Sequence, residues 1–379
     1  LDWLDGNIDA DPLFCNADSS DFTLYDNSPC VGTGQDGANM GAYGVGCLST
    51  TGSFVVAGDA ISDAGMTIAD SGTVTDVNVQ ISYDVDGGAN NLDWVGIYLE
   101  SPYGTPVQLF DVGDVNGSNL FETMFDDEAS NSITTGSEPY IGSFQPTGNF
   151  EDFNGQTANG TWNLIVYNSQ ASGGQVEWEL IIETDDSTPI EQQQYDLDYY
   201  DVMSISGDQV NTGTITINDN FSFYDLDLKI DFITNSGSQD ALVWETMILQ
   251  SPNNTSVTMF NQGDINAMHM YHTVFDDDEE ISITDGSAPY IGRYQPIGNL
   301  NDYLGESISG DWTLIVDNNQ GFSATVSWRL LFNNQPEYNG PTWHVSTDGS
   351  DDNNGSEENP FATIQHGIDA STDGDTVLV

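Results

Sequence analysis

Polar and apolar positions alternate strictly through residues 77–83: Val77, Val79, Ile81 and Tyr83 share one face, with Asn78, Gln80 and Ser82 between them. A period of two predicts a strand buried on one side. The pattern returns at Leu226, Leu228, Ile230 and Phe232, at Trp162, Leu164 and Val166, and at Trp312, Leu314 and Val316. A last pair of strands is predicted at Val176-Trp178-Leu180-Ile182 and Val326-Trp328-Leu330-Phe332. Turns rich in Gly, Asn, Asp and Ser separate these runs. Many short, half-buried strands at such spacing predict an all-β chain, built as an antiparallel sandwich or jelly roll. Each of these tryptophans lies in phase with its strand's apolar face, so they are expected in cores.

The runs come in pairs because a module is written twice. Phe125-Asp126-Asp127 recurs as Phe275-Asp276-Asp277, Pro139-Tyr140-Ile141-Gly142 as Pro289-Tyr290-Ile291-Gly292, and Gly160-Thr161-Trp162 as Gly310-Asp311-Trp312. The offset is constant (276 − 126 = 150), which predicts two domains of one fold in tandem. The expected organisation is a flank at 1–47, a first module at 48–184, a linker at 185–197, a second module at 198–334, a linker at 335–341 and a flank at 342–379. Within the last flank a short helix is expected from Ala362 to Ala370 and a strand over Thr376–Val379.

Charge changes the picture more than composition does. The 379 residues hold 61 Asp plus Glu against three Lys plus Arg, a formal net charge of −58. Such a surface repels nucleic acid, whose binding depends on cationic contacts to phosphate, and it repels anionic membrane. It calls for neutralisation by high ionic strength or by bound cations. No apolar run is long enough to span a bilayer. The chain opens at Leu1 without Met or signal segment, as expected for a piece of a longer protein. All three cysteines, Cys15, Cys30 and Cys47, fall in the first flank. Their clustering predicts a local disulfide in an oxidising compartment. Three pairings are open; Cys15–Cys30 is the one preferred, with Cys47 left over.

The module resembles the P domain (P/Homo B domain) that follows the protease domain of subtilisin-like proprotein convertases and occurs in many secreted bacterial proteins. The residues carrying the resemblance are Leu99-Glu100-Ser101-Pro102-Tyr103-Gly104-Thr105, Phe125-Asp126-Asp127-Glu128-Ala129, Phe153-Asn154-Gly155 and Asn159-Gly160-Thr161-Trp162-Asn163-Leu164. The resemblance implies a non-catalytic sandwich of jelly-roll type. The family's Gly-Asp-Leu segment appears in shifted form as Leu92-Asp93-Trp94-Val95-Gly96, and the second copy, Leu242-Val243-Trp244-Glu245-Thr246, has no Asp at the matching place. The flanks are similar to the two ends of right-handed parallel β-helices of pectate-lyase-like fold. Residues 11–47 resemble closing rungs, and Trp343 to Val379 resembles an N-terminal cap and first rung.

Acidic clusters are the candidate chemistry. The first copy offers Asp84, Asp86, Asp93, Asp114, Asp126 and Asp127; the second offers Asp240, Asp264, Asp276 and Asp277. Adjacent loop carboxylates repel unless a cation or water separates them, and calcium takes six to eight oxygen ligands. Ca2+ is therefore the expected cofactor, with Asp126/Asp127 and Asp276/Asp277 as the persistent pair. His269 and His272 have metal-like spacing only on a helix, and this segment reads as strand or loop; the first copy carries Asn119 and Glu122 there. No nucleophile elbow or Ser/His/Asp set is present.

The expected function is a non-catalytic structural or adhesive segment of a large extracellular modular protein or fibre. Its partners are expected to be other copies or modules of the same assembly, or a surface polysaccharide. The alternatives are the accessory region of a secreted hydrolase or polysaccharide lyase, and a carbohydrate-binding module. The latter requires exposed aromatics, for which Tyr98, Tyr103 and Tyr140 are the candidates.

Overall fold

The computed structural model describes residues 12–16, 21–25, 28–34, 37–40, 45–69, 71–85, 92–185, 187–190, 195, 197–219, 223–235, 240–334, 340–347, 349, 354–357, 359–372 and 374–379. Among the described residues the chain is all-β apart from short 3-10 turns and one helix, and it divides into two compact units, Leu1–Gln193 and Gln194–Val379. No helix among the described residues is long and apolar enough to cross a membrane.

The first unit contains β1 (Phe14–Asn16), β2 (Asp21–Tyr25), β3 (Val45–Val56), β4 (Ala60–Ile68), β5 (Thr73–Val85) and β6 (Val95–Glu100). It continues through β7 (Pro106–Phe110), β8 (Asn119–Phe125), β9 (Gly142–Phe144), β10 (Gly160–Asn168) and β11 (Gly174–Asp185). Its strands form a seven-stranded sheet, β1-β2-β3-β11-β5-β8-β9, and a four-stranded sheet, β4-β10-β6-β7. One hydrophobic cluster lies between the sheets. It draws Val77, Val79, Ile81 and Tyr83 from β5 and Val176, Trp178, Leu180 and Ile182 from β11, and Trp162, Leu164 and Val166 from β10. The alternation read from the sequence is thus the core face of each strand.

The second unit repeats this with β12 (Leu197–Ile205), β13 (Gln209–Ile217), β14 (Phe223–Thr234), β15 (Glu245–Gln250), β16 (Ser256–Phe260), β17 (Met270–Phe275), β18 (Gly292–Tyr294), β19 (Gly310–Asn318) and β20 (Ala324–Asn334). Its sheets are β12-β20-β14-β17-β18 and β13-β19-β15-β16, again around one cluster. The remaining elements are β21 (Thr342–His344), α1 (Ile364–Ala370) and β22 (Thr376–Leu378). β21 and β22 pair in parallel, and Trp343, Val345 and Phe361 form a small separate core. The helix starts two residues later than expected because Thr363 caps it, its side chain accepting from the His366 N–H.

The repeated motifs have structural reasons. In Pro-Tyr-Ile-Gly, Tyr140 and Tyr290 sit at φ 55° and 58° and Gly142 and Gly292 at 108° and 129°. Only glycine reaches the latter region without strain. The motif sets β9 and β18 parallel to β8 and β17. The Tyr140 and Tyr290 hydroxyls then accept from the backbone N–H groups of Asn116 (3.0 Å) and Asn266 (3.2 Å). Gly160 and Gly310 are needed for a second reason: a Cβ there would stand 2.6 and 2.7 Å from Pro102 and Pro252.

Two expectations about the first flank are corrected. The 47/48 boundary falls inside β3, whose Cys47 pairs with Glu183 of β11, so β1 and β2 extend the first unit's own sheet. The disulfide is Cys15–Cys47, with Cα atoms 5.9 Å apart, and not Cys15–Cys30. β2 pairs with β1 on one side and, in parallel, with the start of β3 on the other, which draws Cys47 to the β1 segment. Cys30 lies buried in a turn, its N–H donating to Ser28 Oγ and its carbonyl accepting from Met40 N–H. Under denaturant without reductant, thiol alkylation should label one cysteine per chain, Cys30, and peptide mapping should recover a Cys15–Cys47 crosslink. Label on Cys47 would overturn the pairing.

Candidate metal centre

The predicted ligands do not form one site. In the first unit they separate to two ends of β5. Asp84 pairs with Asn119 near the strand's end, and Asp93 and Asp114 belong to the loops beyond it, where Gly113 N–H donates to the Asp93 carbonyl. Asp126 follows Phe125, which pairs with Val79. Eight residues of strand separate Asp76 from Asp84, roughly 26 Å at about 3.3 Å per residue. In the second unit Asp240 precedes the 3-10 turn Ala241–Trp244, and Asp264 accepts from Asn261 N–H at 2.7 Å; both lie away from Asp276. Asp114 likewise closes a local turn by accepting from Asp111 N–H at 2.8 Å. Asp86 lies outside the described residues.

Within Phe-Asp-Asp the two carboxylates have different work. Asp127 and Asp277 turn to the following loop and accept from Glu151 N–H (3.1 Å) and Asn301 N–H (2.7 Å). They hold the starts of matched 3-10 turns in both copies, and burial raises both pKa values. Asp126 and Asp276 instead face the strand beside them.

That strand supplies what the sequence reading missed. β14 carries Asp225 and Asp227 on the face opposite Leu226 and Leu228. Asp225, Asp227 and Asp276 each place a carboxylate oxygen within 4.8 Å of the others. A carboxylate pair at i, i+2 on a strand flanking Phe-Asp-Asp was the available signal. The corner is closed by the chain's own cation. Arg293 on β18 reaches Asp227 at 2.5 Å and Glu279 at 3.1 Å, and its Nη2 also bonds Asp276 Oδ2. Its Nη1 donates to the Tyr195 hydroxyl at 3.0 Å, and that hydroxyl donates to Asp227 Oδ2. Burial pushes Asp227 up to about 7 against the pull of Arg293. Burial opposes the guanidinium's charge too, yet Asp227 and its neighbours hold its pKa above the ordinary value.

The first unit has the same corner with different residues. The strand offset is one residue shorter here (225 − 76 = 149), because Trp178 pairs with Ile81 as Trp328 pairs with Ile230. Asp225 and Asp227 therefore correspond to Asp76 and Asn78. Asp276 corresponds to Asp126, Asp278 to Glu128 and Arg293 to Ser143, which pairs with Met124 as Arg293 pairs with Val274. Asn78 donates to Asp76 at 2.8 Å, and its Oδ1 is buried without a hydrogen-bond partner. Burial raises the Asp76 pKa, and the charges of Asp126 and Asp127 add to it. A side-chain hydrogen bond to Asp126, with burial, pushes Glu128 up to about 7. At the register position of Arg293 the first unit carries the exposed, neutral Ser143, and carboxylate and amide oxygens of this kind suit a hard divalent cation.

The other candidates resolve plainly. His269 is buried and its Nδ1 accepts from Thr234 N–H at 3.2 Å, whereas His272 stacks on Tyr271 at 4.1 Å. Tyr98 and Tyr140 are buried in the first unit and cannot form a glycan platform; Tyr103 is half-buried and donates to the Ile190 carbonyl at 2.8 Å. Among the described residues, the exposed indoles are Trp94 and Trp244, at matched positions.

No family model matches the chain, and no curated protein matches it. Among solved structures, a serine protease of Aeromonas sobria is 18% identical over 37% of this chain, with a TM-score of 0.22, and the chain spans 27% of that protease's length. PNGF-II is 12% identical over 73% of this chain and 60% of its own, with a TM-score of 0.28. The STIV MCP is 11% identical over 76% of this chain and 97% of its own, with a TM-score of 0.26.

Proposed function

We propose that the chain is a non-catalytic structural segment of an extracellular modular protein or fibre. Its paired modules, of the P-domain type that the sequence resembles, are stiffened at one corner by a cation: a built-in guanidinium in the second and calcium in the first. The observation that carries this reading is the substitution of Ser143 for Arg293 at one and the same acidic corner. A corner of carboxylates is costly to fold without a counter-charge. In the first module Asp76, Asn78 Oδ1, Asp126 and Glu128 are the groups that would hold calcium. Bound calcium would tie β5 to the loop after β8 and favour the folded state by mass action. The Cys15–Cys47 disulfide supports an oxidising compartment.

Thermal unfolding in chelator and in calcium, at matched ionic strength, tests the reading. Calcium at a hundredfold excess over its Kd should stabilise the first module by about 2.7 kcal/mol. Asp126→Asn should abolish that response, and the second module should not respond. A shift no larger than matched NaCl produces, or an equal shift in the Asp126→Asn variant, would remove the specific site.

A further inference from the structure

We propose that the chain self-associates head to tail, the outer sheet face of the first module of one copy receiving the outer sheet face of the second module of the next. The chain has three basic residues, and two of them, Lys229 and Arg329, are direct cross-strand neighbours on β14 and β20. Like charges set opposite one another destabilise a sheet, so their pairing in so acidic a chain points to an anionic partner. Arg329 bonds Asp198 at 2.6 Å and lies 4.7 Å over the Tyr200 ring. Lys229 makes no ion pair or hydrogen bond among the described residues. The carboxylates flanking it on β14 are engaged: Asp227 by Arg293 and Tyr195, and Asp231 by His272 N–H at 2.7 Å. Tyr200 and Val202 stand beside this pair, 53% and 46% exposed.

The first module presents the complementary face at the matching register. The row Tyr200–Arg329–Lys229 is answered by Thr51–Glu179–Gln80. The row Val202–Ser327–Asp231 is answered by Ser53–Glu177–Ser82. With small residues in the outer positions, this face is hollow. A groove of about 470 Å³ is lined by Thr51, Ser53, Gln80, Glu122, Glu177 and Glu179. A second, of about 430 Å³, shares Glu122 and Glu177 and is bordered by Phe121. Val55 and Phe121, 71% and 52% exposed, supply apolar surface at its margins. An acidic hollow with apolar margins fits a face that projects an aromatic ring beneath a guanidinium, the residue types that anchor interfaces. Net repulsion between two acidic copies is confined by salt to about 8 Å at physiological ionic strength, which leaves the local faces to decide. The contact uses different patches on the two sides, so it is heterologous and links copies in series, as a closed ring or an open chain.

The inference extends the structural reading above. It uses no residue of the acidic corner and is measured in chelator, so the calcium response and self-association stand or fall separately. Sedimentation velocity of the whole chain at physiological salt should show concentration-dependent association. Lys229→Glu/Arg329→Glu and Glu177→Lys/Glu179→Lys should each raise the Kd at least about tenfold, with melting temperatures checked for folding. Mixing the two variants should restore assembly, because each then offers the other's complement; a folding defect would not be cured this way. A wild-type chain that stays monomeric, or assembly indifferent to both reversals, overturns the proposal. So does a monomer that binds dextran sulfate through Lys229 and Arg329, which would make the basic face a polyanion site.

Discussion

Arg293→Ser should destabilise the second module by about 3–5 kcal/mol at pH 8 in the absence of divalent cations, the usual cost of leaving a buried charge without its partner. Asp227 is fully buried and Arg293 mostly so. The variant leaves Asp227, Asp276 and Glu279 without their cation and strips a hydrogen bond from Tyr195. The cost should depend on pH with a definite sign. Asp227 already has a folded pKa raised to about 7 by burial, and losing Arg293 removes the charge that restrains it. A carboxyl with a raised folded pKa retains a proton that the unfolded chain gives up, so stability is highest at acid pH and falls as pH rises through that window. The loss should therefore be small near pH 4 and full at pH 8. The substitution also recreates the first module's serine. Calcium should then recover part of the lost stability, a response the wild-type second module lacks. Chemical denaturation with and without calcium reads both effects; a loss below about 1 kcal/mol would show that the arginine is a surface ornament.

Glu245→Val should raise the stability of the second module by about 2–3 kcal/mol at pH 8, or about 5–10 °C in melting temperature for a domain of this size. Glu245 is fully buried at the start of β15, and neither carboxylate oxygen has a hydrogen-bond partner. Burial, with the charge of Asp317 added, pushes its pKa up to about 8. It pairs across the sheet with Asn318. The first module carries the fully buried Val95 opposite Asn168 at this register, so valine fits the fold. The sign is again that of a raised acid: wild-type stability declines from the ordinary glutamate range up to about pH 8, because the folded state must hold or release a proton the unfolded state has already lost. The valine variant should lose this slope. Glu245→Gln should lose it too while gaining less stability, since an unsatisfied buried amide remains. A pH profile of melting unchanged in both variants would show that this side chain finds water or a partner on opening.

Strand identity and the core were legible because each rests on a local period. Val77 to Tyr83 and Trp312 to Val316 alternate in the sequence and lie inward in the folded chain for that reason. Turn chemistry was legible where a residue type has one conformational use, as at Gly142 and Gly292. The acidic corner was half legible. The Phe-Asp-Asp repeat marked Asp126 and Asp276, but their partners Asp76, Asp225 and Asp227 come from a strand some fifty residues earlier (276 − 225 = 51). A one-residue shift in offset hid that match. Asp84, Asp93, Asp114, Asp240 and Asp264 share the composition of a site without sharing its place, since a strand of this length carries its two ends far apart.

The sequence by itself determined that the chain is all-β, that a module is written twice, and which face of each strand is buried, because periodicity, repetition and turn residues act within a few neighbours along the chain. Only the tertiary structure decided that Cys15 bonds Cys47, that Arg293 is the counter-ion of one acidic corner and Ser143 its neutral counterpart in the other, and that Lys229 and Arg329 stand side by side. These depend on strand register and on segments distant in sequence meeting in space, which local preferences do not specify.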